Sequence, residues 1–148
     1  MSKKIIISKL GGPEVLKYID YQVDNNLEKD NVRIKHTAIG LNYIDTYHRS
    51  GVYPLQEDLP VCPGLEAAGV IIEIGKDIQN FNIGDRVCYA AVPLGAYCEI
   101  RNFPASKLIK IPNDISENIA GSILLQGMTV EYLFERLYRI KRNETILF

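Results

Sequence analysis

The chain has few of the residues that build metal centres and membrane spans. Its 148 residues include three cysteines, two histidines and no tryptophan. Cys62, Cys88 and Cys98 form no C-x-x-C pair. A structural zinc site needs four close ligands and is therefore excluded, and we expect free thiols in a reducing compartment. No apolar run approaches the roughly 20 residues of a transmembrane helix, so we expect no membrane-spanning segment.

Charge and the N-terminus narrow the function classes further. The formal net charge of −1 leaves no strongly basic surface for nucleic acid or an anionic membrane. The first seven residues, MSKKIII, are basic and then apolar, but this apolar run is too short for a signal-peptide core. The expected location is therefore the cytoplasm, with no nucleic-acid partner and no membrane partner.

What the chain does have is a series of short β-rich runs separated by turn residues. Residues 31–38 alternate, with Val32 and Ile34 on one face and Arg33 and Lys35 on the other. Similar runs occupy residues 4–8, 69–74, 86–91, 96–101 and 108–111. Many short strands with regular turns predict a mainly β fold, arranged as a barrel or a sandwich.

The pattern changes towards the C-terminal end. Asp114 and Glu117 have the spacing of a capping box at a helix start. Apolar residues then recur at intervals of about three to four through residues 119–137, which predicts an amphipathic helix. Gly127 is expected to divide or kink it. Residues 145–148, TILF, predict the beginning of a further strand.

Four glycine-containing stretches follow one another in a fixed order: GGPEVL at 11–16, GLNYID at 40–45, GLEAAG at 64–69 and GDRV at 84–87. In this order they resemble the medium-chain dehydrogenase/reductase superfamily, and NYIDTYHRSGVYP from residue 42 is especially similar to bacterial NADPH:quinone reductases. Zinc-dependent members of the superfamily carry a cysteine and a histidine ligand where this chain has Asn42 and Leu65. The resemblance therefore implies the zinc-independent quinone oxidoreductase branch, with no metal ligands.

This resemblance also implies an architecture. Residues 1–126 are expected to form a GroES-like partly open β-barrel, the catalytic, substrate-side domain. Residues 127–148 are expected to form a connecting helix and the first strand stub of a missing Rossmann domain. The chain contains no G-x-G-x-x-G loop, which normally holds a dinucleotide pyrophosphate. The family uses NADPH, but we expect this chain alone not to bind it tightly.

The implied activity is hydride transfer from NADPH to a quinone or enone. The chain resembles the N-terminal portion of such an oxidoreductase, and we expect it to be inactive alone. Two alternatives stay open: one half of a split reductase whose Rossmann domain is a separate polypeptide, or a GroES-like interaction module without redox activity. An apolar helix face without its usual partner domain would favour self-association.

By position in the family pattern, the candidate catalytic residues are Asn42, Tyr47 and Tyr53. Asn42 is expected near the nicotinamide ribose or carboxamide. The two phenols are expected in the cleft, where donors stabilise a developing oxyanion. Asn42, Tyr47, Thr129 and Tyr132 are the candidate cofactor-binding residues. The alternative roles are a turn cap for Asn42, rim packing for the tyrosines and a helix-cap hydroxyl for Thr129.

Other polar residues in these stretches are expected to be structural. Asp45 and Glu66 suit turn capping or a salt bridge better than acid–base catalysis. His36 is expected to be a hydrogen-bonded histidine within the sheet. The pair His48–Arg49 is expected on a solvated helix face, with cofactor-phosphate binding as the less favoured role.

Overall fold

The computed structural model describes residues 1–147, which form two antiparallel sheets and one long helix. In the first sheet β1 (Ser2–Ile7) pairs with β2 (Leu16–Tyr21), and the connection between them contains a short 3-10 helix (Pro13–Val15). Strand β2 is absent from the predicted set because only Leu16 and Ile19 of its residues are aliphatic. The strand forms despite this weak pattern because all six of its residues pair with β1.

The second sheet has five strands in the order β6-β3-β4-β5-β7, and all neighbours are antiparallel. The chain also forms helix α1 between β3 and β4. The bounds of these elements are β3 (Asn31–Gly40), α1 (Tyr43–Ser50), β4 (Glu66–Ile74), β5 (Arg86–Ala90), β6 (Ile100–Pro104) and β7 (Ile109–Lys110). The described strands do not close into a barrel. The prediction of a mainly β, partly open fold is confirmed.

The main core is built by the alternation within β3. Val32 and Ile34 are fully buried, whereas Lys35 on the opposite face is exposed, as the period of two predicts. Tyr89 of β5 stacks on Phe103 of β6 with ring centroids 4.2 Å apart. Burial of each large apolar side chain contributes about 1.5–3 kcal/mol. The strand pattern read from the sequence therefore places the core correctly.

Two predicted strands are shifted in the structure. The strands expected at residues 96–101 and 108–111 are instead β6 and β7, which begin later. The segment before β6 makes separate backbone hydrogen bonds to a turn: Ala96 N donates to Gly64 O at 3.1 Å, and Tyr97 N donates to Pro63 O at 3.0 Å. The chain bends at Tyr97 and Glu99, and no regular ladder forms there.

Helix α2 (Glu117–Glu131) begins one residue after its N-cap, Ser116, whose Oγ accepts the N–H of Ile119 at 3.4 Å. Asp114 is therefore not the cap, which corrects the predicted capping box. Gly127 does not divide the helix, which continues into a wide π-helical turn (Tyr132–Leu137). The predicted boundary between residues 126 and 127 thus falls inside α2, and the division into two domains stays a prediction.

The face of α2 that packs on the sheet has small residues at its closest approach, with the half-buried Leu124 beside them. Ala120 and Gly121 are buried, and a Cβ at Gly121 would lie 3.0 Å from the backbone nitrogen of Ala68. Apart from the half-buried Phe134, the large apolar side chains of the predicted amphipathic face are instead exposed: Ile119, Ile123, Met128, Val130, Leu133 and Leu137. Within residues 1–147, then, this face has no covering element. None of the helices in this range is long and apolar enough to cross a membrane.

The strand predicted at residues 145–148 does not form over residues 145–147, which pair with no described strand. Phe148 lies outside the described residues.

Candidate functional site

Asn42 lies at the start of α1 and is fixed there by Asp45. The backbone N–H of Asn42 donates to Oδ2 of Asp45 at 2.9 Å, and the N–H of Asp45 donates to the carbonyl of Asn42 at 3.0 Å. The Tyr97 hydroxyl donates to the same carboxylate oxygen at 2.8 Å. Burial and this bond raise the pKa of the Tyr97 phenol. Asp45 therefore has the predicted turn-capping role.

The side chain of Asn42 is held by a buried carboxylate. Its Nδ2 donates to Oε2 of Glu66 at 2.8 Å, and Oε1 of Glu66 accepts the backbone N–H of Leu125 in α2 at 2.8 Å. Asn42 is 7% exposed and Glu66 is fully buried. Glu66 makes neither the salt bridge nor the turn cap that the sequence predicts. It instead joins the start of α1 to α2.

Gly40 makes room for this junction. A Cβ at Gly40 would lie 2.4 Å from the carbonyl oxygen of Gly121 and 2.5 Å from Oε2 of Glu66. Real Cβ atoms do not approach other heavy atoms so closely, and a larger residue would push α2 or the Glu66 carboxylate away. The absence of a side chain at Gly40 thus allows β3, β4 and α2 to meet beside Asn42.

Thr129 and Tyr132 lie further along the same helix. The Thr129 hydroxyl donates to the carbonyl of Leu125 at 3.0 Å, so it bonds back within the helix rather than capping its end. Because Leu125 also donates to Glu66, a continuous series of hydrogen-bonded groups joins Thr129 to Asn42. Tyr132 follows the last residue of α2 and is exposed.

Tyr47 and Tyr53 are both half exposed, at 45% and 52%. They are joined by the backbone, since the N–H of Tyr53 donates to the carbonyl of Tyr47 at 3.2 Å. Tyr53 lines a cavity of about 140 Å³ together with Ile44, His48 and Leu65, whereas Tyr47 does not line it. Within residues 1–147, no hydrogen bond joins the side chain of Asn42 to either phenol.

Leu65 and Glu66 connect these two halves of the site. Successive residues of an extended chain direct their side chains to opposite sides. Accordingly, Leu65 lines the cavity beside Tyr53, and Glu66 binds Asn42. The structure therefore brings Asn42 and Thr129 into one hydrogen-bonded group and Tyr53 into an adjacent cavity. The roles predicted for these residues stay predictions.

His48 is placed differently from the prediction of a solvated helix face. It is buried, its ring meets that of Tyr53 edge to face at 5.3 Å, and its Nδ1 has no hydrogen-bond partner among residues 1–147. Arg49 donates to the carbonyl of Gly11 at 3.2 Å. The sequence does contain a pattern that predicts this burial. His48 follows Asp45 by three residues, which places both on the same face of α1.

His36 is the hydrogen-bonded sheet histidine that the sequence predicts. Its Nδ1 donates to the carbonyl oxygen of Cys98 at 2.7 Å, and its Nε2 lies 3.0 Å from the Tyr89 hydroxyl. The Tyr89 hydroxyl also accepts a hydrogen bond from Arg101 at 3.3 Å. Both ring nitrogens therefore have partners.

The positions of the two zinc ligands in related dehydrogenases hold an amide and a hydrocarbon here. Asn42 binds Glu66, and Leu65 lines the cavity next to Tyr53. Among the described residues, no three His, Cys, Asp or Glu side chains form a group that could hold a metal ion. Leu65 has no donor atom, so this pair of positions lacks a ligand set for zinc.

Comparison with known proteins identifies the family. Residues 28–133 match the alcohol dehydrogenase GroES-like domain, and this range covers most of the chain, from the turn before β3 through α2. The chain belongs to this GroES-like family. The family assignment agrees with the mainly β fold, and three of the four glycine-containing stretches lie within the matched range.

The GroES-like chain is similar to quinone oxidoreductases over its whole length. It is 44% identical over 148 residues to a quinone oxidoreductase of Pseudomonas aeruginosa, covering 100% of this chain and 45% of that protein. It is 40% identical to a 2-haloacrylate reductase of a Burkholderia species, covering 96% of this chain and 44% of that protein. The predicted resemblance is confirmed, and the chain spans less than half the length of these relatives.

A solved structure gives the same result for the fold. The crystal structure of Escherichia coli quinone oxidoreductase complexed with NADPH superposes with a TM-score of 0.91 at 39% identity. The match covers 96% of this chain and 43% of the E. coli chain. The two antiparallel sheets and α2 therefore correspond to the N-terminal part of that enzyme.

Proposed function

We propose that this chain forms the substrate-side part of a zinc-independent quinone oxidoreductase, an enzyme that transfers hydride from NADPH to a quinone or enone. The observation that carries the proposal is the Asn42 amide, held at 2.8 Å by the buried Glu66 carboxylate. A buried polar side chain that is hydrogen-bonded in this way is held rigidly in one orientation. Similarity to quinone oxidoreductases along the whole chain supports the reaction class.

Asn42 has a second Nδ2 proton beyond the one that it donates to Glu66. We assign this proton to the nicotinamide carboxamide oxygen or to a ribose hydroxyl. The donors on this part of the chain fit the nicotinamide end of NADPH, because the exposed phenols of Tyr47 and Tyr132 add hydroxyl groups that can donate or accept. Thr129, one helical turn beyond Leu125, completes the proposed cofactor side.

Tyr53 and Tyr47 are assigned to the acceptor. When a quinone accepts hydride, negative charge develops on its oxygen, and a phenol hydroxyl is a suitable donor to it. Tyr53 lines the cavity of about 140 Å³ and is held there by the edge-to-face contact with His48. NADPH, when bound, supplies the hydride, and the electron-poor acceptor takes it without a Lewis-acid metal.

The isolated 148 residues are proposed to be inactive and not to bind NADPH tightly. They contain no glycine-rich turn at a helix N-terminus to hold the pyrophosphate. The remaining contacts involve only the nicotinamide end, and these alone do not fix the geometry for hydride transfer.

A separately encoded Rossmann-domain polypeptide is the second candidate for completing the enzyme. The exposed apolar row along α2 and the π-helical turn, which includes Ile123 and Leu133, favours it, because such a surface is normally covered by protein. Without a partner, the same row favours self-association of the chain. A GroES-like module that only binds other proteins would use this row but would not require Asn42 or Tyr53.

A fusion tests the proposal. The chain is joined to the remaining nucleotide-binding and C-terminal parts of the P. aeruginosa relative, and NADPH oxidation is followed with a quinone and with an enone. We expect acceptor-dependent NADPH oxidation by the fusion and none by the unfused chain. A folded fusion that binds NADPH but reduces neither acceptor would contradict the assigned function.

A further inference from the structure

We propose that Cys62 and Cys98 form a redox-sensitive pair, in which a hydroperoxide oxidises the sulfur of Cys98 and Cys62 then closes a disulfide bond with it. Neither cysteine belongs to the candidate site for quinone reduction, and the proposal does not depend on that function. The third cysteine, Cys88, is buried in the sheet and takes no part.

The fold places the two cysteines on neighbouring segments that are joined by backbone hydrogen bonds. Strand β1 forms backbone hydrogen bonds with Val61 and with Tyr97, the residues that directly precede Cys62 and Cys98. The two segments also bond to each other, since the N–H of Tyr97 donates to the carbonyl of Pro63 at 3.0 Å. Chain segments joined by a backbone hydrogen bond lie about 5 Å apart, which is within the range that a disulfide bridges.

The thiol of Cys62 lies beside the backbone of its proposed partner. Its Sγ is 3.4 Å from the carbonyl oxygen of Tyr97, the group that links Tyr97 to Cys98. Sγ of Cys98 is 3.1 Å from the carbonyl of Gly95 and 3.9 Å from Nδ1 of His36. Both sulfurs therefore lie around the same short segment, 95–98.

The surroundings give the two thiols different roles. The neighbouring Cys62 thiol, followed by His36 at 3.9 Å and by Arg101, lowers the pKa of Cys98. The neighbouring Cys98, together with burial, raises the pKa of Cys62. Tyr21, Tyr89, Tyr97 and Lys4 are further ionisable groups that interact with the pair. Cys98 is thus the nucleophile and Cys62 the resolving thiol.

An oxidant can reach Cys98 through a cavity. The residue itself is only 6% exposed, but it lines a cavity of about 300 Å³ together with Ile5, Tyr18 and Leu41. A molecule of water size needs roughly 10–15 Å³, so hydrogen peroxide fits. Cys62 is half-buried.

The chemistry balances in two steps. The Cys98 thiolate attacks one peroxide oxygen, an S–O bond forms, the O–O bond breaks, and the leaving oxygen takes a proton to give an alcohol or water. Cys98 is then a sulfenic acid. The sulfur of Cys62 attacks it, the S–S bond forms, the S–O bond breaks, and hydroxide leaves as water with the Cys62 proton. The two thiols lose two electrons and the peroxide gains them.

The test treats the folded 148-residue chain with hydrogen peroxide, blocks free thiols and maps the peptides by mass spectrometry. We expect a Cys62–Cys98 disulfide and a free Cys88. The matched control Cys88→Ser should form the same disulfide at the same rate. In Cys62→Ser a sulfenic acid should accumulate on Cys98 and react with a dimedone probe, whereas Cys98→Ser should form neither product.

Peptide mapping of the unsubstituted chain tests the proposed disulfide even if a serine variant fails to fold. Three free thiols after treatment, or a disulfide that includes Cys88, would overturn the proposal. Trapping of sulfenic acid on Cys62 in Cys98→Ser, with none on Cys98 in Cys62→Ser, would contradict the assigned roles.

Discussion

Glu66 and Asn42 are 24 residues apart in the chain and are joined by a hydrogen bond of 2.8 Å between carboxylate and amide. The second oxygen of Glu66 accepts the N–H of Leu125. A carboxylate offers only acceptors, and both of its neighbours here are donors, so this buried group is satisfied on both sides. Glu66 thus fixes the candidate catalytic amide and the position of α2 together.

Replacing Glu66 with glutamine should destabilise the chain by about 1–3 kcal/mol. The glutamine amide places an NH₂ group against either Asn42 Nδ2 or the N–H of Leu125, and one buried donor then lacks an acceptor. Urea unfolding of the two proteins measures the difference. The control is Glu135→Gln, since Glu135 forms an exposed ion pair with Arg139 and its loss should cost less than about 1 kcal/mol. An equal loss of stability in both variants would contradict the proposal that Glu66 satisfies two buried donors.

Replacing each of the two histidines with phenylalanine should change the stability of the fold in opposite directions. His48→Phe should keep the ring contact with Tyr53 and remove the buried Nδ1 that has no partner, which should stabilise the chain by about 1 kcal/mol. His36→Phe should destabilise it by a similar amount or more, because the Cys98 carbonyl and the Tyr89 hydroxyl each lose a partner. Thermal unfolding measures both. Destabilisation by His48→Phe would contradict this prediction and show that Nδ1 makes a stabilising interaction.

Replacing Gly40 with alanine should destabilise the fold, whereas the same change at Gly127 should stabilise it. At Gly40 a Cβ would meet the carbonyl of Gly121 and the carboxylate of Glu66, so overpacking should cost about 1–3 kcal/mol. At Gly127 a Cβ meets nothing within 4 Å, and alanine should stabilise the helix by roughly 0.5–1 kcal/mol. Urea midpoints of the two variants check the pair. A neutral Gly40→Ala would contradict the close approach of β3 and α2.

Ionisation of Glu117 should contribute to the pH dependence of stability, because its carboxylate pairs with Arg86 at 2.7 Å. Its hydrogen bond with Arg86 lowers the pKa of Glu117. The unfolded chain therefore binds this proton more tightly. The stability from the carboxylate is present above its unfolded pKa of about 4.3 and is lost as pH falls through the lower folded value.

Glu117→Gln should accordingly flatten the decrease of the urea midpoint in the acid range below about pH 4.3. Asp114→Asn is the control, because no cation pairs with Asp114 within residues 1–147. Parallel pH curves for Glu117→Gln and the parent would exclude this linkage.

Parts of the structure could be predicted because their causes are local. The alternation of Val32 and Ile34 sets the buried face of β3 within a few residues. The helix at α2 is also visible in the spacing of its apolar residues. Its start was misplaced because Asp114 and Ser116 are both suitable caps, and only the path of the chain decides that Ser116 is used.

The contacts within the candidate site could not be predicted in the same way. Glu66 binds residues 24 and 59 positions away, and no local pattern encodes that choice. The outward position of the large apolar residues on α2 depends on Gly121 packing tightly on Ala68, which is a tertiary effect. The family motifs predict which residues belong to the candidate site, whereas the tertiary fold determines their hydrogen-bond partners.

The most direct test of the central claim is the single-turnover rate of hydride transfer in the fusion with the P. aeruginosa nucleotide-binding part. At saturating NADPH and quinone, Asn42→Ala should lower this rate by about a hundredfold and Tyr53→Phe should also lower it, because both groups position reacting atoms. Tyr18→Phe, at an exposed residue of β2, should leave the rate unchanged. Transfer at the parent rate by folded Asn42→Ala and Tyr53→Phe would contradict the proposed site.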